Sequence, residues 1–149
     1  PHQGGPRTPK LVLDSNILIK LVTNEPNSKE ARTTVTTLLK KGYTLHTVDI
    51  ALTESLSALW KHTKIHKDLK PEETKQATQD LTKIYDKMDI LSTREITEET
   101  TDTALTQNIT IYDALYIAAT QKLNATLYTA DQKLYNIANK ITSSKLLKT

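Results

Sequence analysis

Short apolar runs alternate with helical patterns along this chain, and that alternation restricts its fold more than any other feature. Lys10-Leu11-Val12-Leu13 is the first run, and it ends at Asp14. TLHTV (44–48), Asp89-Ile90-Leu91 and ATLYT (125–129) read as three further strands, and Lys140-Ile141-Thr142 reads as a short fifth. The segments between them carry helix signals. One helix is expected over Asn16 to Val22. The next starts at the Asn24–Asn27 turn and stops at Gly42, a glycine where a helix needs a terminator. Ile50, Leu52, Leu56 and Leu59 recur near helical spacing. Pro71, followed by Glu72 and Glu73, opens a fourth helix, because proline suits a first turn and acids favour its dipole. Further helices are expected over about 97–107 and 111–122, and another from near Asp131 to 139. Strands separated by helices imply a parallel sheet with helices on both faces. The expected class is therefore α/β, a three-layer α/β/α arrangement around a central parallel sheet of about five strands.

At 149 residues the chain is expected to form one domain over 10–149. Residues 1–9 (PHQGGPRTP) read as an N-terminal tail, a remnant or a processed end; they lack an initiator Met and the apolar core of a secretory signal. No stretch approaches the roughly 20 apolar residues that cross a bilayer, so no membrane partner is expected. Cysteine is absent, which removes disulfides and thiolate metal sites and fits a reducing compartment, the cytoplasm. Lys and Arg number 20 against 17 Asp and Glu. That mild excess admits a polyanionic partner without requiring one. With no Phe and one Trp, the core must be aliphatic.

The stretch IYDALYIAA (111–119) holds a single acid, Asp113, in an otherwise apolar or tyrosine segment. In parallel sheets, sites form at the carboxyl ends of the strands. Asp14 follows the first strand and Asp131 the fourth. Glu54 lies early in the helix after the second. Asp113 lies in the first turn of a crossover helix, which runs antiparallel to the strands and so starts above their carboxyl ends. The topology alone gathers these acids on one edge. Plainer readings exist for each. Thr110 and Asp113 have the spacing of a capping box. Asp14 and Asp131 could each cap a helix, and Glu54 could sit on the polar margin of an amphipathic one. Together, however, unneutralised carboxylates repel one another and raise their own pKa values. An oxygen donor set without Cys or His suits Mg²⁺ or Mn²⁺. Such ions activate water against a phosphodiester.

LVLDSNILI (11–19), LTESLSALW (52–60), IYDALYIAA (111–119) and LYTADQKL (127–134) occur in order along the chain. At these segments the sequence resembles the PIN-domain family, most closely the VapC-type toxin ribonucleases, over about residues 10–142. The resemblance implies a PIN-like sheet, Mg²⁺ or Mn²⁺ dependence and endonucleolytic cleavage of RNA. It also implies a small VapB-like antitoxin as partner and often a homodimer. Asp14, Glu54, Asp113 and Asp131 match the family's acidic quartet and inherit its catalytic and metal-binding roles as expectations. Asn16 matches the polar residue two after the first acid, and Thr129 the hydroxyl two before the last. With Ser15 they are expected to orient the carboxylates or water.

WKHTKIHK (60–67) mixes an indole with cationic and imidazole groups. It could touch RNA, with Trp60 stacking on a base and Lys61, two turns beyond Glu54, contacting phosphate. The preferred reading is plainer: a lysine-rich helix end that complements the dipole, with Trp60 in the core. His62 and His66 are four apart but lack the Glu of the H-E-x-x-H zinc motif. His46 is expected to be structural. Two other functions stay open: a non-catalytic domain that binds protein or nucleic acid, and a receiver-type phosphoacceptor using Asp14.

Overall fold

A computed structural model describes residues 8–148, so most of the expected N-terminal tail lies outside the described residues. Strands β1 (Lys10–Leu13), β2 (Thr44–Val48), β3 (Asp89–Leu91), β4 (Thr126–Thr129) and β5 (Ser143–Leu146) form one sheet in the order β3-β2-β1-β4-β5. Every neighbouring pair is parallel. Parallel strands need crossovers, and the helices supply them: α1 (Ser15–Val22), α2 (Ser28–Lys40), α3 (Ile50–Lys64), α4 (Pro71–Asp86), α5 (Thr97–Gln107), α6 (Ile111–Leu123) and α7 (Gln132–Ala138). Receiver modules set β1 between β2 and β3. Here β1 lies between β2 and β4, so the receiver-type reading is set aside.

Burial follows from this order. Leu11, Val12 and Leu13 in the central strand are fully buried, as a strand covered on both faces requires. Helix α6 lies against β1, β2 and β4, with α5 packed on it. Helices α1, α2, α3 and α4 pack against one another, and α1 reaches β4. Residues Ala114 to Thr120 of α6 are all buried, which explains the apolar composition of that segment.

Several element ends differ from expectation. The fifth strand is not Lys140-Ile141-Thr142 but Ser143–Leu146. The backbone N–H groups of 140, 141 and 142 donate to Ile137 and Ala138 carbonyls at the end of α7. Those donors are consumed by the helix terminus and cannot enter a ladder. Helix α1 begins one residue early, at Ser15, because Asp14 caps it by accepting from the Ile17 N–H at 3.0 Å. The stop at Gly42 holds: its φ is +94°, a conformation that costs glycine little. The Thr44 N–H donates to the Pro9 carbonyl at 2.9 Å, so chain pairing starts just before β1. A 3₁₀ turn over Thr93–Ile96 was not foreseen. Asp49, after β2, accepts from the Thr93 N–H at 3.0 Å and its hydroxyl at 2.6 Å.

Candidate active site

The sheet order places a switch point between β1 and β4, where the chain progresses outward in opposite directions. Crevices at such points, beyond the carboxyl ends of the strands, are where ligands bind in open α/β sheets. Asp14 directly follows β1, and Asp131 follows β4 after a single intervening residue. One hydroxyl ties them together. Thr129 donates its side-chain proton to Asp14 Oδ2 and accepts from the Asp131 N–H at 2.9 Å. Thr129 itself is fully buried, so this link is fixed by the strand. The other oxygen of Asp14 caps α1, and Asp131 Oδ1 caps α7 by accepting from the Lys133 and Leu134 N–H groups. The capping readings of both acids are therefore correct as far as they go.

Capping does not account for the electrostatics of Asp14. It is 2% exposed, and burial pushes its pKa up from 3.8 to about 7, against the lowering effect of Thr129 and the Ile17 N–H. Asp131 and Glu54 push it in the same direction by repulsion. An exposed cap would show neither effect. Asp113 is also raised, first by burial and then by Asp131 and Glu54, with Lys133 opposing. Asp14 and Asp113 thus each lie in the field of Glu54 and Asp131 at the carboxyl edge.

Their anchoring differs. Glu54, on α3, accepts from the Tyr116 hydroxyl of α6 at 2.5 Å. That phenol is 3% exposed and is held un-ionised by burial and by Glu54. That bond ties α6 to the α3 carboxylate, and Ser15 opposes the shift of the phenol. Tyr116 was missed by sequence reasoning, although a phenol within a buried helix needs a polar partner and that need was a usable signal. Asp113 is only half of a capping box. Its N–H donates to the Thr110 hydroxyl at 3.2 Å, but its carboxylate has no hydrogen-bond partner among the described residues. Thr110 caps α6 by itself, which leaves both oxygens of Asp113 uncommitted. The acids do not meet as a finished cage. Among the described residues no group of three or more His, Cys, Asp or Glu side chains could hold an ion as arranged.

The model of the PIN domain family matches residues 11–140 of this sequence. The chain belongs to the PIN-domain family. It is 30% identical over 125 residues to Ribonuclease VapC3 of Pyrobaculum aerophilum, covering 84% of this chain and 92% of that protein. Its fold is similar to that of VapBC2 from Rickettsia felis bound to a promoter DNA fragment, with a TM-score of 0.65 at 19% identity, over 92% of this chain and 98% of that one. A toxin–antitoxin complex from Klebsiella pneumoniae gives 0.64 at 18% identity, over 93% and 98%.

Of the four acids of this PIN domain, Asp131 alone lines a pocket of about 320 Å³, with Asn16, Ala58, Lys20, Glu25 and His62. Lys20 Nζ lies 3.6 Å from Glu25, and His62 Nδ1 lies 2.9 Å from Asp68 Oδ1. His62 and His66 have ring centroids 5.5 Å apart, but His62 is engaged by Asp68. His46 is buried and hydrogen-bonds Thr44 at 2.7 Å within β2. Lys61 is exposed and does not line the pocket; Ala58 and His62 are the α3 residues that do. Trp60 departs from expectation: it is 54% exposed and not part of the core. Ala51, Ser55 and Leu59 fill the inward side of α3, which turns position 60 to solvent.

Proposed function

We propose that this PIN domain is a metal-dependent endoribonuclease, the toxin of a VapBC-type toxin–antitoxin pair, acting in the cytoplasm. The observation that carries the reading is the state of Asp14. It is a buried carboxylate at the switch point, raised by burial and by neighbouring acids, and no cation among the described residues is paired with it. Such a group costs several kcal/mol unless positive charge compensates. The similarity to a VapC ribonuclease over most of both chains supports RNA as substrate. The VapBC2 structure and the toxin–antitoxin complex of like fold support an antitoxin as partner.

The donor set fits a hard divalent cation. Asp14, Glu54, Asp113 and Asp131 offer only oxygen, and the Asp113 carboxylate is uncommitted. Carboxylate-only sets suit Mg²⁺ or Mn²⁺ over zinc or copper. When bound, such an ion lowers the pKa of a water and neutralises charge on a phosphodiester. The chain's own residues set the geometry. Thr129 fixes Asp14 relative to Asp131, and Tyr116 fixes Glu54. Asn16 lines the same pocket as Asp131, and its amide can orient a water or a phosphate oxygen there. In-line attack by water breaks the P–O3′ bond and leaves a 5′-phosphate on the downstream fragment.

The non-catalytic reading draws on the two genuine caps, Asp14 and Asp131. It gives no reason for Asp113 to hold a free carboxylate in the field of two other acids. The deciding experiment incubates a fluorescent pool of single-stranded RNAs with Mn²⁺ or with EDTA, using wild type and Asp113→Asn. Cleavage that needs both the metal and Asp113 supports the nuclease. Absence of cleavage by folded wild type, together with no thermal stabilisation by Mn²⁺, would overturn it.

A further inference from the structure

The exposed side of α3 carries a pattern that the proposed chemistry does not use. Thr53, Leu56, Ser57, Trp60, Lys61 and Lys64 are all exposed. Their spacing of three and four residues puts them on one continuous face. Trp60 is the only tryptophan of the chain, and leaving more than half of an indole in water forgoes much of what its burial would contribute. Lys67 and Lys70 follow the helix end, both exposed. Asp68, the acid among them, is already engaged by His62. Glu54 borders this face. Trp60 stands about 9 Å and Lys61 about 10 Å further along the axis, at 1.5 Å per residue. Those distances suit neighbouring nucleotides of one strand.

We propose that the Trp60–Lys61–Lys64 face of α3 is the platform that holds single-stranded RNA beside the acidic edge, Trp60 stacking on a base while the lysines contact phosphates. An aromatic face flanked by cations is how proteins hold single strands without reading sequence, since every base has a π-face. The cations also choose between occupants. A second copy docking through the same face would be isologous, laying lysine against lysine, whereas a polyanion is complementary to it. The platform rests on the nuclease reading for its purpose but not for its measurement.

The test is binding of a fluorescein-labelled, unstructured RNA in EDTA, where cleavage plays no part. RNA should quench the Trp60 emission. Trp60→Ala should weaken binding about ten-fold, within the range of one lost stacking contact, and Trp60→Phe should restore most of it. Replacing Lys61 and Lys64 by Ala should reduce the slope of log K against log salt by about 1.4. Unquenched emission with equal affinity of wild type and Trp60→Ala overturns the platform. So does loss of a dimer in Trp60→Ala without loss of RNA binding, which would assign the face to a second copy. Binding in EDTA is read apart from cleavage, so loss of cleavage alone tells against neither stacking nor the lysines. Quenching by RNA in a protein that never cleaves would sink the nuclease and leave the platform standing.

Discussion

Replacing Asp14 by Asn should stabilise this protein at neutral and higher pH when divalent ions are chelated, although it removes a residue of the proposed active site. The folded pKa of about 7 stands above the ordinary value of 3.8 because burial and two acids oppose ionisation. Between those pH values the folded protein keeps a proton that the unfolded chain has released. Stability therefore falls as pH rises through that window, by 1.36 kcal/mol per unit per group. Over roughly three units this amounts to about 4 kcal/mol, lost in full above about pH 8. Asparagine is neutral throughout. Its oxygen can still accept from the Ile17 N–H, and its amide can donate to the Thr129 hydroxyl oxygen. Urea unfolding followed by circular dichroism, in EDTA, should show the two proteins alike near pH 4. The variant should then gain stepwise, reaching a plateau above about pH 8. Saturating Mn²⁺ should narrow or reverse the gap, since a ligand at one hundred times its Kd adds about 2.7 kcal/mol to the wild type alone. A difference that does not vary with pH, or a variant less stable at about pH 8, would refute the account of Asp14 as an uncompensated buried charge.

Asp113→Asn should be at least as stable as wild type in EDTA at neutral pH, because its carboxylate bonds to nothing among the described residues and is raised by burial and two acids; its Mn²⁺-dependent rise in Tm and its RNA cleavage should both disappear. Tyr116→Phe deletes one hydroxyl that positions Glu54. It should raise the Kd for Mn²⁺ about ten-fold by thermal shift, and combining it with Glu54→Gln should add almost nothing further. Thr129→Val leaves Asp14 Oδ2 and the Asp131 N–H without partners, at a cost of about 2 kcal/mol or more; denaturant midpoints would show it, and a cost below about 0.5 kcal/mol would mean the hydroxyl does not bridge β1 and β4. Cleavage products should carry 5′-phosphates, readable by ligation or exonuclease sensitivity, and 2′,3′-cyclic ends would point to attack by the ribose hydroxyl instead.

The order of strands and helices was legible in the sequence because it depends on local signals: apolar runs, helical spacing, Pro71 at a start and Gly42 at a stop. Those signals also placed the four acids on their elements, after β1 and β4 and near the starts of α3 and α6. The boundary at 140–142 misled because Ile141 looks like a strand residue, while the fate of its N–H depends on the end of α7. Trp60 was misread for a related reason. Residue type favours burial for an indole, but which side of α3 faces inward is set by how α1 and α4 pack against it. The pairing of Tyr116 with Glu54, 62 residues apart, could not be read locally, nor could the Thr129 bridge across 115 residues. Sequence alone determines which groups can ionise and which elements carry them. Only the tertiary structure decides which carboxylate is dry, which is held and which is free, because desolvation and hydrogen bonding are properties of neighbours that the chain brings together only when it folds.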